Sequence, residues 1–157
     1  GDHRDLHLSI RRQRQMCIRD SPMTVGDLFG GKKVVLFAVP GAFTPTCSNA
    51  HLPGYVVKAD ELKAKGVDNI VCLSVNDAFV MDAWGKDKNA EQLLMVADGN
   101  GDFTKARGLE MDGSGFGLGT RSQRYAMIVD DGKVTKLAVE EPGKLEVSAA
   151  EAILDSL

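Results

Sequence analysis

A chain of 157 residues, 43% of them hydrophobic and 26% charged, is long enough for one domain with a proper core and too apolar to stay disordered. Its net charge of −3 gives no general reason to expect nucleic acid or an anionic membrane as partner, and no apolar run approaches the ~20 residues of a membrane helix. Three cysteines, Cys17, Cys47 and Cys72, are sparse and odd in number, which excludes a secreted disulfide scaffold and fits free thiols in a reducing compartment.

The first 21 residues, GDHRDLHLSIRRQRQMCIRDS, differ from the remainder. They hold five of the eight arginines, two of the three histidines (His3 and His7) and no lysine, and carry a net +2 against −5 for the rest. Asp2, Asp5 and Asp20 count against a targeting presequence. A basic arm for nucleic acid would want more than RRQR and some aromatic residues between the charges. RRQRQMCIRDS instead resembles the conceptual translation of a sequencing adapter. Residues 1–21 are therefore expected to be a foreign, disordered segment, and residues 22–157 a domain that lacks its first strands and its true N-terminus.

From Lys32 the pattern is regular. KKVVLFAVP is a short apolar run rich in β-branched residues, stopped by Pro40-Gly41, and reads as a buried strand. A helix is predicted to begin at Thr44-Pro45, with Thr44 as N-cap, to be interrupted or kinked at Pro53-Gly54 and to end at Gly66. NIVCLSV is a second strand. The next helix is capped by Asn76 or Asp77, with Phe79, Val80, Ala83 and Trp84 falling on one face. LLMVAD is a third strand, GNGDFTKARGL a turn with a short helix, and MDGSGFGLGT a glycine-rich loop. RYAMIVDDGKVTKLAVE is a hairpin around Asp130-Asp131-Gly132, and SAAEAILDSL a helix opened by a capping box of Ser148 and Glu151. Helices alternating with apolar strands, then a hairpin and a terminal helix, predict an α/β thioredoxin-like fold: a central mixed sheet flanked by helices.

Between the first strand and its helix lies PGAFTPTCSNAHLPG. Cys47 falls in the first helical turn, where free backbone N–H groups and the positive dipole end favour an anion such as a thiolate. Thr44 can turn its hydroxyl back on that thiolate, and Pro40 can shield it while removing an N–H that would need a partner. The alternative is a small buried hydrophobe, but the neighbours Thr46, Ser48 and Asn49 are polar. His51, four residues on, shares a helical face with Cys47 and invites a Cys–His dyad. A metal site would need more ligands than one histidine and two separated cysteines.

Pro-x-x-x-Thr-x-x-Cys, filled by Pro40, Thr44 and Cys47, resembles the signature of the peroxiredoxins. VPGAFTPTCSNAHLPG, SVNDAFVMDAW and RSQRYAMIVDDGKV resemble their type II, peroxiredoxin-five-like branch, and the likeness runs in order from Thr24 to Leu157.

The resemblance implies a thiol-dependent peroxidase that needs no cofactor and no metal. Cys47 would attack hydrogen peroxide or an alkyl hydroperoxide and become a sulfenic acid. Thr44 would hydrogen-bond thiolate and peroxide, Pro40 would limit solvent access, and Arg124 in SQRYA would polarise the O–O bond. Arg121 is expected at the surface. His51, Gly41 and Phe43 would support the site, with His51 not acting as an essential base. In a plant subset of the branch a cysteine at the position of Cys72 is assigned a resolving role, yet here it lies inside an apolar strand. No cysteine stands near the C-terminus, where the animal type carries its resolving thiol. Reduction by glutathione and glutaredoxin, or by thioredoxin, is therefore expected. A homodimer through Phe43 and the GSGFGLGT loop is expected too, as is a cytoplasmic location, or an organelle had the true N-terminus carried a targeting sequence. The rival reading is a peroxide-sensing thioredoxin-fold module without efficient turnover.

Overall fold

A computed structural model describes residues 15–18 and 21–157. One mixed sheet of seven strands organises them, in the spatial order β2-β1-β5-β4-β3-β8-β9. The centre is parallel: β3 (Lys33–Val39), β4 (Asn69–Ser74) and β5 (Leu94–Ala97). Antiparallel strands flank it, with β8 (Tyr125–Asp130) and β9 (Lys133–Val139) on one side and β1 (Gln15–Ile18) and β2 (Ser21–Thr24) on the other. A small separate hairpin pairs β6 (Glu110–Asp112) with β7 (Thr120–Ser122). This is the expected thioredoxin-like arrangement.

The three central strands are apolar throughout because both their faces are covered. Alternation sorts their side chains into two cores. Val35, Phe37, Val39 and Cys72 face α2 (Leu52–Ala64), α3 (Ala78–Asp87) and α5 (Ala150–Asp155), where Tyr55, Trp84 and Ile153 are buried. Leu36, Ala38, Leu73 and Met127 face α1 (Val25–Phe29) and α4 (Asp102–Ala106), packing with Phe29 and Phe103.

Four local expectations change. Residues 15–18, set outside the fold by composition, form β1, whose Cys17 and Ile18 pair with Ala97 and Val96 and whose Met16 is 1% exposed. Met16, Cys17 and Ile18 are a short apolar run, and the strand covers the open edge of β5. The other residues of that N-terminal segment, 1–14, 19 and 20, lie outside the described residues. Second, Pro53 does not break the helix. The chain widens into a π-helical turn over Cys47–His51, with Leu52 N–H donating to the Cys47 carbonyl five residues back. This longer register absorbs the hydrogen bond that Pro53 cannot donate.

Third, α3 buries Ala78, Met81, Trp84 and Gly85, while Phe79 and Ala83 face outward. The buried stripe differs from the expected one because Phe79 is apolar and yet exposed. Fourth, Ser148 does not cap α5; its hydroxyl goes to Glu140 instead, 2.7 Å away. The glycine-rich segment is also more ordered than a plain loop, since its ends form the β6–β7 hairpin closed by Gly113 N–H donating to Gly119 O at 2.7 Å. The hairpin at Asp130-Asp131-Gly132 is as expected, with Asp131 and Gly132 both at positive φ.

Candidate active site

The loop that leaves β3 carries Pro40 to Thr44, and the helix starting at Pro45 carries Cys47 in its opening turn. Ser48 N–H donating to Thr44 O at 2.9 Å is the first helical bond, so the N–H groups of Thr46 and Cys47 precede the intrahelical ladder. Cys47 is 1% exposed at the edge of the helix-side core.

Arg124 reaches this thiol from immediately before β8. Its Nη2 donates to Cys47 Sγ at 3.2 Å and its Nη1 to His51 Nδ1 at 2.8 Å. One guanidinium thus spans two acceptors that the π-helical turn sets on the same side, a task for its planar fork of donors. On the other edge of the ring, His51 Nε2 lies 3.0 Å from the Ser148 carbonyl. A carbonyl only accepts and a guanidinium only donates, so the imidazole is neutral with its proton on Nε2. Burial, reinforced by the Arg124 charge, pushes the His51 pKa down to about 4. Tyr55 also donates to Ser148 O, at 2.7 Å, and its ring stacks on Phe37 at 4.0 Å.

This burial has a measurable consequence. The unfolded His51 takes up its proton near its ordinary value of 6.5, whereas the folded one resists until about 4. The contribution of His51 to stability is therefore full above pH 6.5, falls as pH drops toward 4, and levels off below that. The loss attributable to His51 amounts to about 3 kcal/mol. Urea unfolding of wild type and His51→Gln at several pH values measures it, and the variant should show a correspondingly shallower decline.

Thr44 is placed differently from expectation. Its hydroxyl donates to the Gly41 carbonyl at 2.6 Å and not to Cys47, leaving its lone pairs to accept. Gly41 has little room for a side chain: a Cβ there would sit 3.1 Å from Thr44 Cγ2. Phe43 adopts φ 63, a left-handed conformation unusual for a bulky residue, with its ring half-exposed and 6.3 Å from that of Trp84. Trp84 is in turn tied by Nε1 to Ser48 Oγ at 2.8 Å. A cavity of about 450 Å³ is bounded by Pro40, Thr46, Met111, Arg124 and Glu140.

Cys72 stands apart from this cluster. It is fully buried in β4, paired in register with Phe37, and burial followed by the nearby Cys47 charge pushes its thiol well up. Among the described residues no group of three histidine, cysteine or acidic side chains could hold a metal ion.

Several residues have roles at the site that their sequence positions do not announce. Asn76, foreseen only as a possible helix cap, accepts from Ala42 N–H at 3.0 Å through its side chain, which anchors the strained loop. Asp77 does the capping, accepting from Val80 N–H at 2.8 Å. Arg121, expected at the surface, is half-buried and donates to the carbonyls of Val75 and Leu118, both at 2.8 Å. Ser148 reads in the sequence only as a helix cap, and Glu140 carries no signal, since a buried glutamate beside an exposed one reads like any acidic pair.

The Redoxin family model matches residues 12–154. Peroxiredoxin-2B of Arabidopsis thaliana is 55% identical over 135 residues, covering 85% of this chain and 83% of its own. Peroxiredoxin-2E of the same plant, described as chloroplastic, is 54% identical over 86% of this chain and 59% of its own. Among solved structures, reduced Prx3 from Vibrio vulnificus in complex with hydrogen peroxide superimposes with a TM-score of 0.90 at 63% identity, covering 94% of this chain and 96% of that one. Peroxiredoxin 5 from Alvinella pompejana gives 0.83 at 37% identity, covering 94% of each. With the family model matching most of its length and relatives of this identity and fold, the chain belongs to the redoxin family as a type II, peroxiredoxin-five-like thiol-dependent peroxidase.

Proposed function

We propose that Cys47 is the peroxidatic nucleophile, in a one-cysteine cycle completed by an outside thiol. The observation that carries this reading is Arg124 Nη2 at 3.2 Å from Cys47 Sγ. The nucleophile in such chemistry is the thiolate, and the guanidinium sets an N–H donor directly against the attacking sulfur. The thiolate attacks the terminal oxygen of a hydroperoxide. The S–O bond forms as the O–O bond breaks, and the departing alkoxide or hydroxide takes a proton to leave as alcohol or water. Arg124 is suited to stabilising the charge that develops on the oxygens. Thr44, its own proton engaged by Gly41, is an acceptor that can orient the peroxide O–H. Pro40 limits water at the mouth, while Gly41 and Phe43 shape the loop and His51 holds Arg124.

The sulfenic acid then condenses with an outside thiol, losing water to give a mixed disulfide. A second thiol releases Cys47 and carries away the disulfide product. Glutathione with glutaredoxin is the reductant favoured here, with thioredoxin as the alternative, because Cys72 is fully buried within a central strand. Disulfide geometry needs Cα atoms within about 7 Å and Cβ vectors that face each other, which for a mid-strand thiol would cost local unfolding. A homodimer through Phe43 and the glycine-rich loop is consistent with their exposure, 52% for Phe43 and 89% for Phe116. No helix among the described residues is long and apolar enough to cross a membrane, and a cytoplasmic location is proposed.

Mass spectrometry after one equivalent of peroxide tests the cycle. A Cys47 sulfenic acid, or a glutathione adduct when glutathione is present, is expected. A Cys47–Cys72 disulfide would overturn the one-cysteine reading.

A further inference from the structure

We propose that Glu140 is a positioning residue for peroxide reduction, acting through Ser148 and His51 on the guanidinium of Arg124. The inference rests on the assignment of Cys47 and Arg124 above. Glu140 follows directly on β9 and is only 7% exposed. One of its oxygens, Oε2, accepts three hydrogen bonds: from Glu146 N–H at 2.7 Å, Ser148 N–H at 2.8 Å and the Ser148 hydroxyl at 2.7 Å. Burial alone would raise its pKa, but these donors outweigh it and hold the carboxyl below the usual range, so it stays charged.

What the carboxylate holds is a segment with no regular structure of its own, running from Glu141 to Ala149. Its far end presents the Ser148 carbonyl to His51 Nε2–H at 3.0 Å. That carbonyl selects the tautomer of the ring. With the proton on Nε2, Nδ1 keeps a lone pair for Arg124 Nη1; with the proton on Nδ1, two donors would face each other and the arginine would lose that anchor. The circuit closes through the backbone, because Glu140 N–H donates to the Arg124 carbonyl at 2.9 Å. Arg124 is thus clamped at both ends, its main chain directly by Glu140 and its side chain through Ser148 and His51. The free arm of the fork is left aimed at Cys47 Sγ. Nothing in this chain of contacts needs Glu140 to touch a peroxide.

Glu140→Gln removes the charge that gathers the three donors. Two readouts follow, and the first needs no peroxide. In ¹⁵N spectra of labelled protein, His51 should be a single Nε2–H tautomer in the wild type and a mixture in Glu140→Gln. In single-turnover oxidation by hydrogen peroxide, followed by fluorescence of Trp84, the sole tryptophan, the variant should react about tenfold more slowly. Because the effect passes through the ring, Glu140→Gln should cost less than about twofold further in a His51→Phe background. An unchanged tautomer, a rate within twofold of wild type, or multiplicative losses in the double variant would each overturn the proposal. Should Glu140→Gln fail to fold, Ser148→Ala removes one of the three bonds and keeps the backbone; tautomer mixing with a severalfold loss is expected there, and wild-type behaviour overturns the proposal. A wild type inert to peroxide would sink the Cys47 assignment, while the tautomer experiment would still decide the role of Glu140.

Discussion

Cys47→Ser should abolish peroxide turnover while leaving the fold in place. Serine is nearly isosteric, and its oxygen can accept the Arg124 Nη2 bond now made to sulfur at 3.2 Å. An alcohol, however, is not ionised beside a guanidinium at neutral pH and cannot pass through a sulfenic acid. Peroxide consumption with glutathione and glutaredoxin measures the outcome: steady turnover by the wild type and none by the variant. Turnover that survives in Cys47→Ser would move the nucleophile elsewhere. A wild type that consumes one equivalent and stops would favour the peroxide-sensing module over the enzyme cycle.

Removing the guanidinium should be nearly as damaging. For Arg124→Ala, a fall of about 10² to 10³ in the rate of Cys47 oxidation is expected, the cost of losing a preorganised donor where charge develops. The alanine variant also frees His51 Nδ1, which today accepts at 2.8 Å. Arg124→Lys separates charge from geometry. An ammonium restores the positive charge but cannot present two coplanar N–H groups to Sγ and Nδ1 together, so it should recover only part of the loss. Stopped-flow oxidation of reduced protein reads both variants. Full activity in Arg124→Lys would mean that charge alone suffices and that the fork to His51 is incidental.

These expectations were legible to different depths in the chain itself. The strands β3, β4 and β8 announce themselves because each is buried on both faces and reads as a continuous apolar run. The contact between Arg124 and Cys47, 77 positions apart, was inferred only from resemblance and not from any local rule. Thr44 lies on the loop ahead of Cys47, as its place in the motif implies, but the direction of its hydroxyl depends on where the Gly41 carbonyl points. The helix break expected at Pro53 became a π-helical turn because a helix packed against Phe37 and Trp84 loses less by widening than by ending. Composition places residues 15–18 outside the fold because it does not register that three apolar residues in a short strand can cover a sheet edge.

Strand runs and helix periods are local properties, written in consecutive residues, and they carry the fold class, while the chemistry is what the resemblance carried by Pro40, Thr44 and Cys47 implies. How the thiol is managed depends on the fold in three dimensions. Arg124, His51 and the pair Glu140 and Ser148 come from three separate stretches and meet because the helix-side core brings the start of β8, the π-helical turn and the segment before α5 to one corner. Hydrogen-bond direction then ranks them: a carbonyl must accept and a guanidinium must donate, so the ring between them has one tautomer and the arginine one aim. That is a property of positions in space, which periodicity along a chain does not encode.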